Sequence, residues 1–328
     1  MKERESYIDL HLHLDGAITP QIARKLAKLQ GIPLFDDEEK LKEQLSVPAD
    51  CNNLNDFLKC FELPLSLLQT EAGVEEAIYL VQEAVKADGV IYGEIRFAPQ
   101  LHCRQGLSQE QVVIAALKGL KRSSLACNLI LCCMRGENLE KANLETVYLA
   151  KKYLVVDGGI TAIDLAGAEG LYPTKDYESI FKIAVEERIP FTIHAGEAAG
   201  ADSIWQAIKF GASRIGHGIR AQEDNNLMKE LADKNICLEL CPTSNRQTKA
   251  VLDMNQYPLG QFLEQGLCVT INTDDMAISR TNIQKEFAYI KSAFGISKEQ
   301  EDNIKENAIE SAFTSSERKK QLKEFMGL

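Results

Sequence analysis

The chain has 328 residues, a formal net charge of −11 and 45% hydrophobic residues, and its isoelectric point is near 5.1. That length suits two average domains or one large α/β barrel, and the acidic balance argues against the basic face a nucleic-acid binder needs. No apolar run approaches the roughly eighteen residues of a membrane span, and the charged start Met1-Lys-Glu-Arg-Glu5 lacks an apolar core, so neither membrane insertion nor a signal peptide is expected.

The stretch Tyr7-Ile-Asp-Leu-His-Leu-His-Leu-Asp15 predicts a strand that stops at Asp15-Gly16. Side chains alternate faces along a strand, so His11 and His13 point one way and Leu10, Leu12 and Leu14 the other. Thr19-Pro20 supplies an N-cap and a first-turn Pro for a helix running to Gln30-Gly31. Residues 33–70 read as mostly helical, with Pro48 and Pro64 as breaks. Val74, Ile78, Val81 and Val85 recur at helical spacing, ending near Asp88-Gly89. A second strand, Val90 to Phe97, is stopped by Pro99. Ser108-x-x-Gln111 is a capping box opening the next helix. Strands follow at Asn128–Cys133, Ile160–Leu165, Pro190–His194, Ser213–His217, Ile236–Cys241 and Cys268–Asn272. Helical stretches are expected up to Tyr153 and near 176–187, 202–210, 223–234 and 258–265. The C-terminus is helical, with a second capping box at Ser297-x-x-Gln300.

Eight strands alternating with helices imply a parallel sheet, and eight such units fit a closed (β/α)₈ TIM barrel. Extra helices fall after strand 1 and at the C-terminus, and with no linker or repeat residues 1–328 read as a single domain. A doubly wound open sheet is the structural alternative, but no Gly-x-Gly-x-x-Gly follows the first strand. The nine Cys include no Cys-x-x-Cys. Cys127, Cys132, Cys133, Cys237, Cys241 and Cys268 sit in or beside apolar runs and read as buried small hydrophobes in a reducing, cytoplasmic compartment.

Chemistry-bearing residues gather at strand ends. Of the five His in the chain, His11, His13, His194 and His217 end strand-like runs, and only His102 falls outside that pattern, as a loop residue. Glu197 follows His194 by three residues, and Asp274-Asp275 follows the eighth strand. In a barrel these ends share one mouth. His11, His13, His194 and Asp274 would offer a divalent metal three imidazoles and one carboxylate, a set suited to Zn²⁺, with Fe, Co and Mn also open. Taken singly, Asp274-Asp275 would serve as a helix cap, Glu197 as a solvated loop charge and His217 as a core residue.

The segments His-Leu-His-Leu-Asp-Gly-Ala (11–17), Gly-Glu-Ile-Arg-Phe-Ala-Pro (93–99), Ile-Asp-Leu-Ala-Gly (163–167), His-Ala-Gly-Glu (194–197), Arg-Ile-Gly-His-Gly (214–218) and Asn-Thr-Asp-Asp (272–275) resemble the adenosine deaminases of the amidohydrolase superfamily, across nearly the whole chain. The resemblance implies hydrolytic deamination of adenosine, and of 2′-deoxyadenosine, to inosine and ammonia. It implies one Zn²⁺ per chain on His11, His13, His194 and Asp274. His217 would position and help deprotonate the attacking water, Glu197 would protonate purine N1, and Asp275 would face the water and N7. The Gly167 backbone N–H would meet N3, and Asp15 the ribose 5′-hydroxyl. The partner is then a small purine nucleoside, with no nucleic acid and no membrane. Two departures stand out: Met276 where many relatives have Pro, and Ala168 where bacterial relatives often have Asp.

Other activities stay open at this stage. Adenine deaminases share the metal site but more often show Glu-Gly in place of Asp15-Gly16, and Arg-Ile-Asp-His-Gly in place of residues 214–218. Another 6-aminopurine nucleoside, such as an aminofutalosine, is a further candidate. A binuclear amidohydrolase would carry a bridging Lys or Glu after strand 4, where Gly167 stands here. An inactive binding protein would have no need of an intact ligand set.

Overall fold

The computed structural model describes residues 5–48 and 50–328. Among them, eight strands run in chain order: β1 (Tyr7–His13), β2 (Val90–Phe97), β3 (Ala126–Met134), β4 (Ile160–Ala166), β5 (Thr192–Ala195), β6 (Arg214–His217), β7 (Cys237–Leu240) and β8 (Val269–Ile271). Each pairs in parallel with the next, in two runs, β1 to β4 and β5 to β8. The runs join at both edges. Ile163 N–H donates to Pro190 O at 3.0 Å, while His13 N–H reaches Asp274 O at 2.8 Å and Asp274 N–H reaches His11 O at 2.7 Å. These bonds complete the ring of a (β/α)₈ barrel, and the closing seam between β1 and the residues after β8 runs through the candidate site itself.

Local sequence explains the helices around the ring. The Thr19 side chain accepts from Ile22 N–H, and Gly31 ends that helix at a left-handed φ of 67°, a conformation glycine adopts at no steric cost. Both expected capping boxes are formed, at Ser108 and Ser297. The helix Glu71–Ala87 buries Val74, Ile78, Val81 and Val85 against the barrel. At the opposite end from the site, Ile8, Leu10 and Tyr92 pack with Ala308, Ile309 and Ala312, so the C-terminal helices stopper the barrel floor.

Three details differ from the sequence reading. Pro64 does not break the chain but sits in the first turn of the helix Glu62–Ser66, where its missing N–H would have had no partner anyway. Pro242 not only closes β7 but opens a helix, Pro242–Gln247. His102 is not an open loop residue. It ends the short 3₁₀ turn Pro99–His102, fully buried, with its ring 5.9 Å from that of Phe97. Burial pushes its pKa down to about 4.

Residues 33–70 form the insertion between β1 and β2, with helices Glu38–Gln44, Leu54–Leu58 and Glu62–Ser66. Val47 N–H donates to Ile278 O at 3.0 Å, and Phe57 packs with Cys51 and Ile278. The insertion is thereby pinned to the loop after β8, on the C-terminal face of the barrel.

Candidate active site

The strand ends converge as the sequence predicts. One ligand atom from each of His11, His194, His217 and Asp274 lies within 4.8 Å of all the others. His13 completes the group: its Nε2 is 3.1 Å from His194 Nε2 and 3.4 Å from Asp274 Oδ1. His11 Nε2 is 3.2 Å from the same oxygen. Ligands about 2.1 Å from a tetrahedral ion stand roughly 3.4 Å apart, so these spacings are those of a donor set built round one cation. His11 Nε2 is also buried without a hydrogen-bond partner of its own. The residues therefore fit a metal. His217 and Asp274 hold left-handed backbones, with φ of 61° and 58°, a conformation uncommon for non-glycine residues.

Electrostatics divide the carboxyls. Burial raises the Asp274 carboxyl, but the imidazoles of His11, His217 and His13 outweigh it and hold the group well below the usual range. Asp275 goes the other way: burial, then the neighbouring Asp274, Asp15 and Glu197, push it well up. Asp15 is raised to about 6, chiefly by burial and also by Asp274. Burial lowers His13 well below its ordinary value, which keeps its nitrogen free of a proton. Gly16 allows this crowding, since a Cβ there would meet Asp275 Oδ1 at 1.8 Å.

Beneath the cluster lies a layer that sequence reasoning missed. His11 Nδ1 donates to Glu239 Oε2 at 2.7 Å. His194 Nδ1 lies 2.9 Å from Asp164 Oδ2. Carboxylates behind metal-binding imidazoles fix the tautomer and aim the other nitrogen. Arg96 bridges the two, at 2.9 Å from Asp164 Oδ2 and 2.9 Å from Glu239 Oε2. Arg214 reaches Glu239 Oε1 and Glu94 Oε2, both at 2.6 Å. All five are buried. The available signal was a lone charge inside an otherwise apolar strand, as at Glu239 and Asp164.

Glu197 and His217 face the cluster from β5 and β6. His217 Nε2 is 3.6 Å from Glu197 Oε2 and 3.9 Å from Asp274 Oδ2. Its Nδ1 is 3.0 Å from Asn245 Nδ2, and Tyr257 O–H donates to Asn245 Oδ1 at 3.1 Å. Thr248 Oγ1 donates to Glu197 Oε1 at 3.0 Å. Asn245 lies in the helix Pro242–Gln247 that follows β7 and Thr248 caps its end, with no motif to mark them.

A cavity of about 250 Å³ opens above the cluster, and its wall includes His13, Asp15, Gly167, His194, Glu197, His217, Asp274 and Asp275. Leu54, Phe57, Leu58, Phe61 and Leu65 of the insertion form an apolar side, and Ala168 also lines it. Met276 is in the hydrophobic core instead. His102 has no place in the cavity wall.

The family model for adenosine deaminase matches residues 7–326. Adenosine deaminase of Haemophilus ducreyi is 48% identical over 322 residues, covering 96% of this chain and 94% of the relative. That of Enterococcus faecalis is 39% identical over 319 residues, covering 96% and 94%. Among solved structures, adenine deaminase from Arthrobacter aurescens superposes with a TM-score of 0.88 at 29% identity, covering 98% of both chains. The N6-methyl-AMP deaminase of Arabidopsis thaliana superposes with a TM-score of 0.84 at 25% identity, covering 99% of this chain and 96% of that one. The chain belongs to the adenosine deaminase family and is a hydrolytic deaminase acting on a small purine.

Proposed function

We propose that this member of the adenosine deaminase family converts adenosine, and 2′-deoxyadenosine, to inosine and ammonia, with Zn²⁺ held by His11, His13, His194 and Asp274. The observation that carries the reading is one shared cavity lined by His13, His194, Asp274, Glu197, His217 and Asp275, with His11 Nε2 joining the donor cluster 3.2 Å from Asp274 Oδ1. When bound, zinc would supply acidity to a water molecule, lowering its pKa far below that of bulk water, towards about 7.

The chain's own residues do the rest. Attack at C6 breaks ring aromaticity, so N1 must gain a proton as C6 becomes tetrahedral, and a carboxylic acid held beside the ring suits that step. Glu197 is placed for it: Thr248 occupies Oε1, which leaves Oε2 to turn to the purine. His217, held at Nδ1 by the Asn245 amide, directs Nε2 at the side from which water arrives and positions that water; helping to deprotonate it requires the amide to present Oδ1 to Nδ1, with the ring proton moved there. Asp275 Oδ1 is buried with no protein partner and faces N7 and the incoming water. The Gly167 N–H serves N3, and Asp15, in the cavity wall, serves the ribose 5′-hydroxyl. The apolar insertion residues keep bulk water from this charge-rich centre, where exclusion of water strengthens every electrostatic contact.

Residues 1–328 act as one barrel domain in this reading, since the closing bonds of the ring tie the first strand to the last. Among the described residues no helix is long and apolar enough to cross a membrane, and buried thiols suit the reducing cytoplasm. The test is an absorbance assay with adenosine, 2′-deoxyadenosine and adenine side by side. Turnover of adenine above that of both nucleosides would overturn the substrate assignment.

A further inference from the structure

Glu169, two residues past Gly167, is 2% exposed and contributes nothing to the cavity wall. Its carboxylate nevertheless gathers four consecutive backbone N–H groups of the loop that carries Glu197. Gly196 N–H donates to Oε1 at 2.7 Å. The N–H groups of Glu197, Ala198 and Ala199 converge on Oε2 at 3.1, 2.8 and 3.0 Å. Ser203 O–H adds a fifth bond, to Oε1 at 2.5 Å. The loop leaves β5 through Gly196, at a left-handed φ of 73°, and enters the helix Ala201–Phe210, whose Gly200 cap has no side chain to hold the first turn. The carboxylate supplies from another strand's loop the anchor that the loop's own sequence lacks.

We propose that Glu169 is a positioning residue for the deamination, acting through Glu197. The Glu197 backbone is held by Glu169 and its side chain by Thr248, so both ends of the residue are fixed before substrate arrives. A group must sit within a fraction of an ångström of its productive place, and displacement by about 1 Å can cost on the order of 100-fold in rate. A carboxylate is needed rather than an amide. Every one of the five partners is a donor, and only Ser203 can reverse its role. In Glu169→Gln the new NH₂ faces either the Gly196 N–H or the three N–H groups at Oε2, so the loop must shift.

The proposal rests on the acid role of Glu197, and the experiment separates the two. The probe is 1-deazaadenosine, in which CH replaces N1, so it can take no proton from Glu197. In Glu169→Gln, kcat on adenosine should fall by about 10- to 100-fold, while KM and the inhibition constant of 1-deazaadenosine stay within about threefold. Added to Glu197→Gln, Glu169→Gln should cost less than about twofold more, because residues acting through one group are not additive. A parallel loss of 1-deazaadenosine binding, or a full further loss in the double variant, would make Glu169 a general scaffold residue and overturn the proposal. Near-wild-type turnover of Glu169→Gln beside an inactive Glu197→Gln would overturn it as well. Near-wild-type turnover of Glu197→Gln would instead remove the acid role itself. Should Glu169→Gln fail to fold, Ser203→Ala, which removes one of the five bonds, carries the same test with the same non-additivity expected.

Discussion

Glu239→Gln should weaken metal binding and the fold together, although the residue never reaches the cavity. Four donors meet its carboxylate: His11 Nδ1 and Arg96 Nη2 at Oε2, and Arg214 Nε and Thr192 Oγ1 at Oε1. Burial alone would raise its pKa, but Arg96, Arg214 and His11 outweigh it and keep the group well below the usual range. An amide has one acceptor oxygen and one NH₂, so either orientation sets two donors against two others. With NH₂ towards Oε2's partners, His11 Nδ1 must become an acceptor, which puts the ring proton on Nε2, the nitrogen facing Asp274. With NH₂ towards Oε1's partners, Arg214 Nε is left buried and unpaired. Removing one partner of a buried ion pair typically costs about 3–5 kcal/mol, and losing a carboxylate behind a metal-binding imidazole about 10- to 100-fold in metal affinity. Chelator competition and urea unfolding of the purified variant measure both. Wild-type metal affinity with stability within about 1 kcal/mol of wild type would refute the reasoning.

Elemental analysis should find about one zinc per active chain; two metals, or none in active protein, would contradict the mononuclear donor set. Glu197→Gln should lower turnover by about 10²–10⁴-fold with metal content kept, and loss of metal would take Glu197 out of the acid's role. Asp15→Ala should erase most of wild type's preference for adenosine over 5′-deoxyadenosine, a preference of roughly 10- to 150-fold if a charged hydrogen bond is worth about 1.5–3 kcal/mol. Equal losses on both substrates would make Asp15 structural. His102, with a folded pKa of about 4, resists protonation that the unfolded chain accepts below about 6.5, so stability falls as pH drops through that window. Between pH 7 and pH 5 this amounts to about 2 kcal/mol. The urea midpoint of wild type should therefore fall between pH 7 and pH 5 by more than that of His102→Leu, and identical pH slopes would rule it out.

What could be read in the sequence follows from where strands end. His11, His13, His194, His217 and Asp274 declare themselves because a barrel brings all its strand C-termini to one mouth, so chain position stands in for spatial position. Glu169, Asn245 and Thr248 give no such sign. Their partners lie across loops, as with Thr248 and Glu197, 51 residues apart, and nothing in either local sequence refers to the other. A lone imidazole three residues after Pro99 carries no periodicity, so nothing local marks His102 as buried, and its packing beside Phe97 shows only in the fold.

The charged interior was legible in principle. In Gly93-Glu-Ile-Arg-Phe97 the charges alternate with Ile95 and Phe97, the pattern of a strand with one wet face. A closed parallel barrel has no wet face, so Glu94 and Arg96 must point inward and must find buried partners. The same demand falls on Asp164, Arg214 and Glu239, and the structure meets it in one connected set of bonds. Yet the set does not balance by itself. Arg96 and Arg214 stand against Glu94, Asp164 and Glu239 below the site and Asp274 within it. Asp275 is pushed well up by burial and its carboxylate neighbours, and Glu197 carries a proton in its proposed role, whereas Asp9 and Asp15, raised only to about 6, keep most of their charge near pH 7. Carboxylates therefore outnumber the two guanidinium groups, and this excess of negative charge favours a divalent cation among His11, His13, His194 and Asp274. The buried charges beneath the site thus point to the same divalent cation as the donor atoms above them.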